Sequence, residues 1–262
     1  MSMPAMRAAR VIAAQRAACF FEDDPGLALG RRALAEGVGT LLLTIAAVGA
    51  GAASAQAFAE LPGMALLVTA IAIAAALVGL ILALGKVSGG HFNPLITALQ
   101  WLAGERTISC TIAYVVAQGI GAIAGALLAQ VLYPEAIASP PVGPVGFDLI
   151  FSELVASVGL MLVVFGCSRS GRIETGPFAV GAWLTAAIIA TPSGSLANPA
   201  IALAAVLATG PLHLGPAMAG WFVVVELVGA VIALGLVQIL YPVTEPDHDP
   251  IRLDDPAEQR RI

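Results

Sequence analysis

Charge is what this sequence has least of. Only 11% of its 262 residues are charged, while 59% are hydrophobic. A soluble domain of this length does not need so much apolar surface, whereas a chain buried in lipid does. The basic residues build no surface for nucleic acid, which excludes that class of partner. Cysteine occurs three times, at Cys19, Cys110 and Cys167. An odd number at scattered spacing provides neither a disulfide framework nor a metal motif, so these read as small packing residues. There is no nucleophile–base pairing, no cluster of metal ligands and no glycine loop leading to a phosphate-binding lysine. No enzyme, cofactor or metal is therefore expected. The first residues carry arginine but lead into Glu22, Asp23 and Asp24, without a short apolar stretch and cleavage site. They read as a cytoplasmic tail, 1–32, and not as a signal peptide.

What the chain has instead is long apolar runs. A spanning helix needs roughly 20 apolar residues, and six stretches qualify: 33–54, 61–84, 108–132, 147–167, 176–190 and 217–241, the fifth being short. With the N-terminus inside, all twelve lysines and arginines fall on the cytoplasmic side and the external loops receive none, which sets the orientation. Acidic residues gather at the other end, from Glu245 to Glu258, in a cytoplasmic tail 242–262 whose prolines and charge predict disorder.

Two further apolar segments are too short to span. One follows Ser88-Gly89-Gly90-His91-Phe92-Asn93-Pro94-Leu95 and runs to about residue 101. The other follows Ser193-Gly194-Ser195-Leu196-Ala197-Asn198-Pro199-Ala200 and runs to about residue 208. Asn-Pro reads as an N-cap with proline in the first helical position, so each is a half-helix, entering the membrane from opposite faces. Irregular backbone at that depth must be buried in protein or line a wet cavity. The chain also repeats itself. Besides the two loops, Ala35-Glu36-Gly37-Val38-Gly39-Thr40 matches Ser152-Glu153-Leu154-Val155-Ala156-Ser157, and Gln118-Gly119-Ile120-Gly121-Ala122 matches Glu226-Leu227-Val228-Gly229-Ala230. Three spans per copy is odd, so the copies, 33–132 and 147–241, are inverted and their working site lies near the midplane. The proline-rich stretch 139–144 joins them. The fold class is an all-α membrane protein with six transmembrane helices, two re-entrant half-helices and an inverted repeat.

Half-helices that meet at the midplane point their positive ends at each other. Cations are repelled there, while a neutral hydrogen-bonding solute is not. Asn93 and Asn198 would each cap a helix through the side-chain oxygen and leave an NH2 group free for a passing solute. The plainer reading is that Asn-Pro only caps. Glu36, Glu153 and Glu226 lie within spans, where a charge is by default functional. Glu36 and Glu153 read as acceptors for loop N–H groups without a helical partner; the rival reading is a proton relay in a coupled transporter. Glu226, where the first copy has Gln118, reads as a polar contact between helices or as part of that relay. His91 is either a hydrogen-bonded loop residue or a pH gate. Glycines such as Gly119, Gly121, Gly125, Gly229 and Gly235 read as close helix packing.

The Ser-Gly-Gly-His-Phe-Asn-Pro run at 88–94, Asn198-Pro199-Ala200, the repeat-equivalent Glu36 and Glu153, and Gln118 before Gly-x-Gly-Ala resemble the aquaporin family, the major intrinsic proteins, over residues 33–241. The resemblance implies one pore per subunit and a homotetramer in the bilayer. There are two departures. Leu95 stands where alanine is usual, and Ile201 stands where most members carry an arginine at the outer constriction. Counted from the asparagines, the constriction positions fall on Ile73, Ala186, Ser195 and Ile201, a set that implies a wider and more apolar filter than that of a water channel. The second half, with Pro177-Phe178-Ala179-Val180-Gly181-Ala182 and the aliphatic residue after Asn198-Pro199-Ala200, is similar to a bacterial branch linked to arsenic resistance. It implies a multi-pass protein of the bacterial inner membrane that passes neutral metalloid hydroxides such as arsenite, or glycerol-like polyols. A water pore, a proton-coupled transporter and a closed structural protein are the alternatives.

Overall fold

An apolar chain in lipid must satisfy its backbone hydrogen bonds within itself, and helices do so locally. The computed structural model describes residues 26–134 and 145–241, and within these the chain is built of helices. They are α1 (Leu29–Ala57), α2 (Pro62–Ser88), α3 (Pro94–Leu102), α4 (Ile108–Leu132), α5 (Phe147–Arg169), α6 (Gly176–Ala190), α7 (Pro199–Ala204) and α8 (Pro216–Leu240), with a 3-10 turn at Gly210–Leu212 before α8. Most of the N-terminal tail, the joining stretch 139–144, the acidic segment 242–262 and Cys19 lie outside the described residues.

Five helices are long and apolar enough to cross a membrane, and α6 is a shorter apolar helix of 15 residues. At 1.5 Å per residue α6 is about 22 Å long, and the non-helical chain 191–198 continues from its end. Several helices outrun their apolar stretch because a charged or small residue at the end continues the turn: α1 starts before Arg31, α2 runs past Lys86, and α5 ends on Arg169. The second half-helix is shorter than its sequence predicts. It stops at Ala204, where the Val206 and Leu207 N–H groups turn to carbonyls three residues back and Leu214 N–H takes the Ala205 carbonyl.

The two copies pack alike. In the first, α1 lies along α4 and α2; in the second, α5 lies along α8 and α6. Both half-helices touch α4 and α8, so each is held by its own copy and by the other. Burial runs opposite to that of a soluble protein. Large apolar side chains such as Phe147, Val131 and Ile239 point outward, while Glu36, Gln118, Glu153 and Glu226 are wholly buried. That is the pattern expected when the outer solvent is lipid.

Small residues set the closest crossings. A Cβ at Gly121 would lie 2.1 Å from the Gly37 carbonyl oxygen, and one at Gly125 2.5 Å from that of Leu41. In the second copy a Cβ at Gly229 would lie 3.0 Å from that of Ser157. Gly119 and Gly235 take no part, since nothing stands within 4 Å of a Cβ there; Gly119 is two residues from Gly121 and so points away from the crossing. Gly121→Ala should separate α1 from α4, because its contact is backbone and cannot swing aside. Overpacking of this kind costs about 1–3 kcal/mol, to be seen as a lower melting temperature in detergent. An unchanged melt would mean that the helices do not approach as closely as described.

Candidate functional site

The site is built from the two loops that lead into α3 and α7. They share one backbone design. Gly89 and Gly194 have φ of 96° and 72°, Gly90 and Ser195 have 67° and 52°, and Phe92 and Ala197 have 46° and 41°. Left-handed conformations at residues other than glycine or asparagine are unfavourable and persist only where surrounding contacts impose them. Those contacts come from the buried glutamates. Glu36 accepts from Ser88 Oγ at 2.6 Å, His91 N–H at 3.0 Å, Phe92 N–H at 2.6 Å and Gln118 Nε2 at 2.8 Å. Glu153 accepts from Leu196 N–H at 3.3 Å and from Ala197 N–H.

Past each loop an asparagine caps a half-helix. Asn93 Oδ1 accepts from Leu95 N–H at 2.9 Å, and Asn198 Oδ1 accepts from Ala200 and Ile201 N–H at 3.2 and 3.4 Å. Pro94 and Pro199 occupy the first helical positions, where the missing N–H costs nothing. The sequence implies free amide groups, but in the structure each already donates once. Asn93 Nδ2 donates to the Ala197 carbonyl at 2.7 Å, and Asn198 Nδ2 donates to the Phe92 carbonyl at 2.9 Å. Each asparagine therefore ties its half-helix to the opposite loop with one hydrogen and has one other left to donate.

A polar network backs the first loop. His91 Nδ1 is 2.9 Å from Thr97 Oγ1, which donates to the Asn93 carbonyl at 3.2 Å and receives Gln118 Nε2 at 3.1 Å. Arg106 Nη2 is 3.4 Å from His91 Nε2, and its guanidinium stacks over the Tyr114 ring at 4.6 Å. Arg32 lies over the same ring at 5.6 Å, and the Tyr114 hydroxyl donates to the Ser88 carbonyl at 2.8 Å. His91 is thus a hydrogen-bonded loop residue, and Thr97, Arg106 and Tyr114 are supports that sequence reasoning missed. They belong to three separate segments, and no motif joins them.

Between the copies lies a cavity of about 60 Å³, room for on the order of four water molecules. Its walls repeat the symmetry: Leu43 with Leu160, Gly90 with Ser195, His91 with Leu196, Asn93 with Asn198 and Ile96 with Ile201 all line it. So do Ile73, Leu77 and Ile81 from α2 and Val180, Leu184 and Ile188 from α6. Of the four positions counted from the asparagines, Ile73, Ser195 and Ile201 line the cavity and Ala186 does not. It lies on the exposed side of α6. The inward stripe of that helix steps by four, through 180, 184 and 188, and a residue two positions away faces outward. Counting back from Asn198 failed because residues 191–198 are not helical, so residue number does not convert to position. Leu95, with no counterpart in the cavity wall, is wholly buried in the large apolar core. Ala200 instead meets Ala122, Ala126 and Ala204.

The Major intrinsic protein family model matches residues 26–192. The chain is 40% identical over 222 residues to "Aquaglyceroporin AqpS" of Rhizobium meliloti (strain 1021), covering 83% of this chain and 93% of that one. It is 34% identical to "Probable aquaporin TIP2-2" of Oryza sativa subsp. japonica, over 72% of this chain and 80% of that one. It is 30% identical to "Aquaporin Z" of Photorhabdus laumondii, over 80% and 97%. With the inverted helical fold, the paired half-helices and these matches, the chain belongs to the major intrinsic protein family and is a multi-pass membrane channel for water or small solutes, with no enzymatic activity.

Proposed function

We propose that this channel conducts uncharged solutes larger than water, of the class of metalloid hydroxides such as arsenite and glycerol-like polyols. The filter is a ring of Ile73, Ile188, Ser195 and Ile201, with Ile188 taking the place first given to Ala186. The observation that carries this reading is the aliphatic side chain of Ile201, 5% exposed and lining the cavity. No charged side chain stands among the lining residues. The Ser195 hydroxyl is buried without a hydrogen-bond partner and is the donor and acceptor left for a solute at this ring. The selectivity rests on the missing arginine and aromatic groups and not on an alanine. Cation exclusion falls to the half-helix ends and to the remaining hydrogen of each asparagine amide.

A proton-coupled transporter is the weaker reading. The oxygens of Glu36 and Glu153 are occupied by loop donors, and neither residue lines the cavity. Rocking one copy against the other would also break the two asparagine–carbonyl bonds and leave buried polar groups unpaired, at about 1–3 kcal/mol each. The channel unit is 33–241, with repeats 33–132 and 147–241, in a bacterial-type inner membrane with both termini cytoplasmic, and it assembles as a homotetramer.

Purified protein in liposomes, followed by light scattering with water, glycerol and neutral arsenite, tests the proposal. Fast solute entry that rises linearly with concentration and ignores a pH gradient is expected. Water flux without solute flux would make the protein a water pore, and entry that needs a pH gradient would revive the transporter.

A further inference from the structure

The two loop supports differ in the side chain that stands beside the loop-holding glutamate. In the first copy the carboxylate of Glu36 receives an N–H from the Gln118 amide. In the second copy the residue at that position is Glu226, and its carboxyl lies against that of Glu153. Both are wholly buried. Three backbone N–H groups donate to their oxygens. Leu196 and Ala197 N–H point to the two oxygens of Glu153, and Asn198 N–H points to Glu226 Oε1 at 3.0 Å. Three successive backbone donors thus fan out over two side chains. One atom is left over: Glu226 Oε2 has no hydrogen-bond partner.

Two adjacent carboxylates cannot both stay ionised in such a place without a counter-charge. None is available. The packed elements α3, α6 and α7 and the chain 191–198 contain no lysine, arginine, histidine, aspartate or glutamate, and α8 contains no charged residue besides Glu226. On α5 the other charged residues, Asp148 and Arg169, stand at its two ends. We propose that Glu226 and Glu153 share one proton, carried on Glu226 Oε2 and donated to Glu153, so that a carboxylic acid performs in the second copy what the Gln118 amide performs in the first. Glu226 is then a positioning residue for the second half-helix: it fixes Asn198 through its backbone N–H and steadies Glu153 through the shared proton. The assignment to Glu226 follows from geometry, since both oxygens of Glu153 already receive N–H donors and a proton there would point at one of them.

The experiment uses the full-length protein in liposomes, with Glu226→Gln, Glu226→Ala and Glu153→Gln. In Glu226→Gln the amide N–H replaces the acid O–H, so solute and water flux should stay within about twofold of the original. The infrared band of a buried carboxylic acid should be present in the unaltered protein and absent from Glu226→Gln. Glu226→Ala should lower flux at least tenfold, and Glu153→Gln should do the same, because its NH2 group, whichever oxygen it replaces, would face the N–H donor from which that oxygen accepts. At strongly alkaline pH the unaltered protein should lose flux while Glu226→Gln does not, a difference that a merely structural role for the side chain would not produce. The proposal is overturned if the unaltered protein shows no carboxylic-acid band, if the band survives in Glu226→Gln, or if Glu226→Gln loses as much flux as Glu226→Ala. The infrared readout needs no permeant, so its outcome is independent of which solute the channel passes.

Discussion

Glu36→Leu is expected to leave no folded channel to assay. Glu36 is the acceptor for four donors in the first loop, namely the Ser88 hydroxyl, the His91 and Phe92 N–H groups and the Gln118 amide. Leucine accepts from none of them. The serine and glutamine can turn toward other partners, but the two backbone groups cannot, because Phe92 is held at φ 46° and is wholly buried. A buried donor without a partner costs about 1–3 kcal/mol, so the two backbone groups alone remove about 2–6 kcal/mol. A typical domain has only about 5–15 kcal/mol in total. The Phe92 ring adds to the loss, since it fills the space above Gly39, where a Cβ would sit 2.0 Å from it, and a loosened loop withdraws it. Size-exclusion profiles and melting in detergent are the measurements. Glu36→Gln, which keeps one acceptor oxygen, should fall between the two. A leucine variant that melts and conducts like the original would show that the loop does not depend on this carboxylate.

Ile201→Arg is expected to separate solutes by size. Ile201 is the third residue of α7, its N–H bonded to Asn198 Oδ1 and its side chain in the cavity wall. Arginine there adds length, a permanent charge and five donors in a rigid fork. It has little space, since the cavity measures about 60 Å³, and the guanidinium must reach loop carbonyls or water to be solvated. Water can pass a row of donors singly, whereas a branched hydroxylated solute needs the width that the side chain takes. Glycerol and arsenite permeability should drop at least tenfold, about 1.4 kcal/mol of added barrier, with water flux changed by less than about threefold. Ile201→Val should leave all three fluxes near their original values. If solute flux survives the arginine, Ile201 is not at the constriction, and if water flux vanishes with it, the side chain has plugged the cavity outright.

Much of this architecture is legible in the sequence because lipid imposes simple demands. Apolar length gives the spans, and a charge inside a span stands out against its surroundings, which is how Glu36 and Glu153 are found. Asn-Pro before a short apolar segment gives Asn93 and Asn198, because proline and a capping side chain suit the same helical start. What escapes is whatever depends on residues far apart in the chain. The bonds from Asn93 to Ala197 and from Asn198 to Phe92 cross 104 and 106 residues, and no local pattern announces them. The cavity-lining residue of α6 escapes for another reason: position along a helix can be counted, but position across the non-helical stretch 191–198 cannot, so the count lands on Ala186 while Ile188 lines the cavity. Glu226 was within reach. Its alignment with Gln118 marks it as a loop support once Gln118 is known to bond Glu36.

The crossed bonds between each asparagine and the opposite loop carbonyl are those of two equal partners clasping one another. Two separate copies of a single half would make the same clasp, but they would carry the same residue in both seats. Joined in one chain, the seats are independent. Gly90 is matched by Ser195 in the other copy, Leu95 by Ala200, and Gln118 by Glu226. The two ends can therefore carry different residues, and a tunnel whose symmetry would make its ends identical has instead a distinguishable entrance and exit.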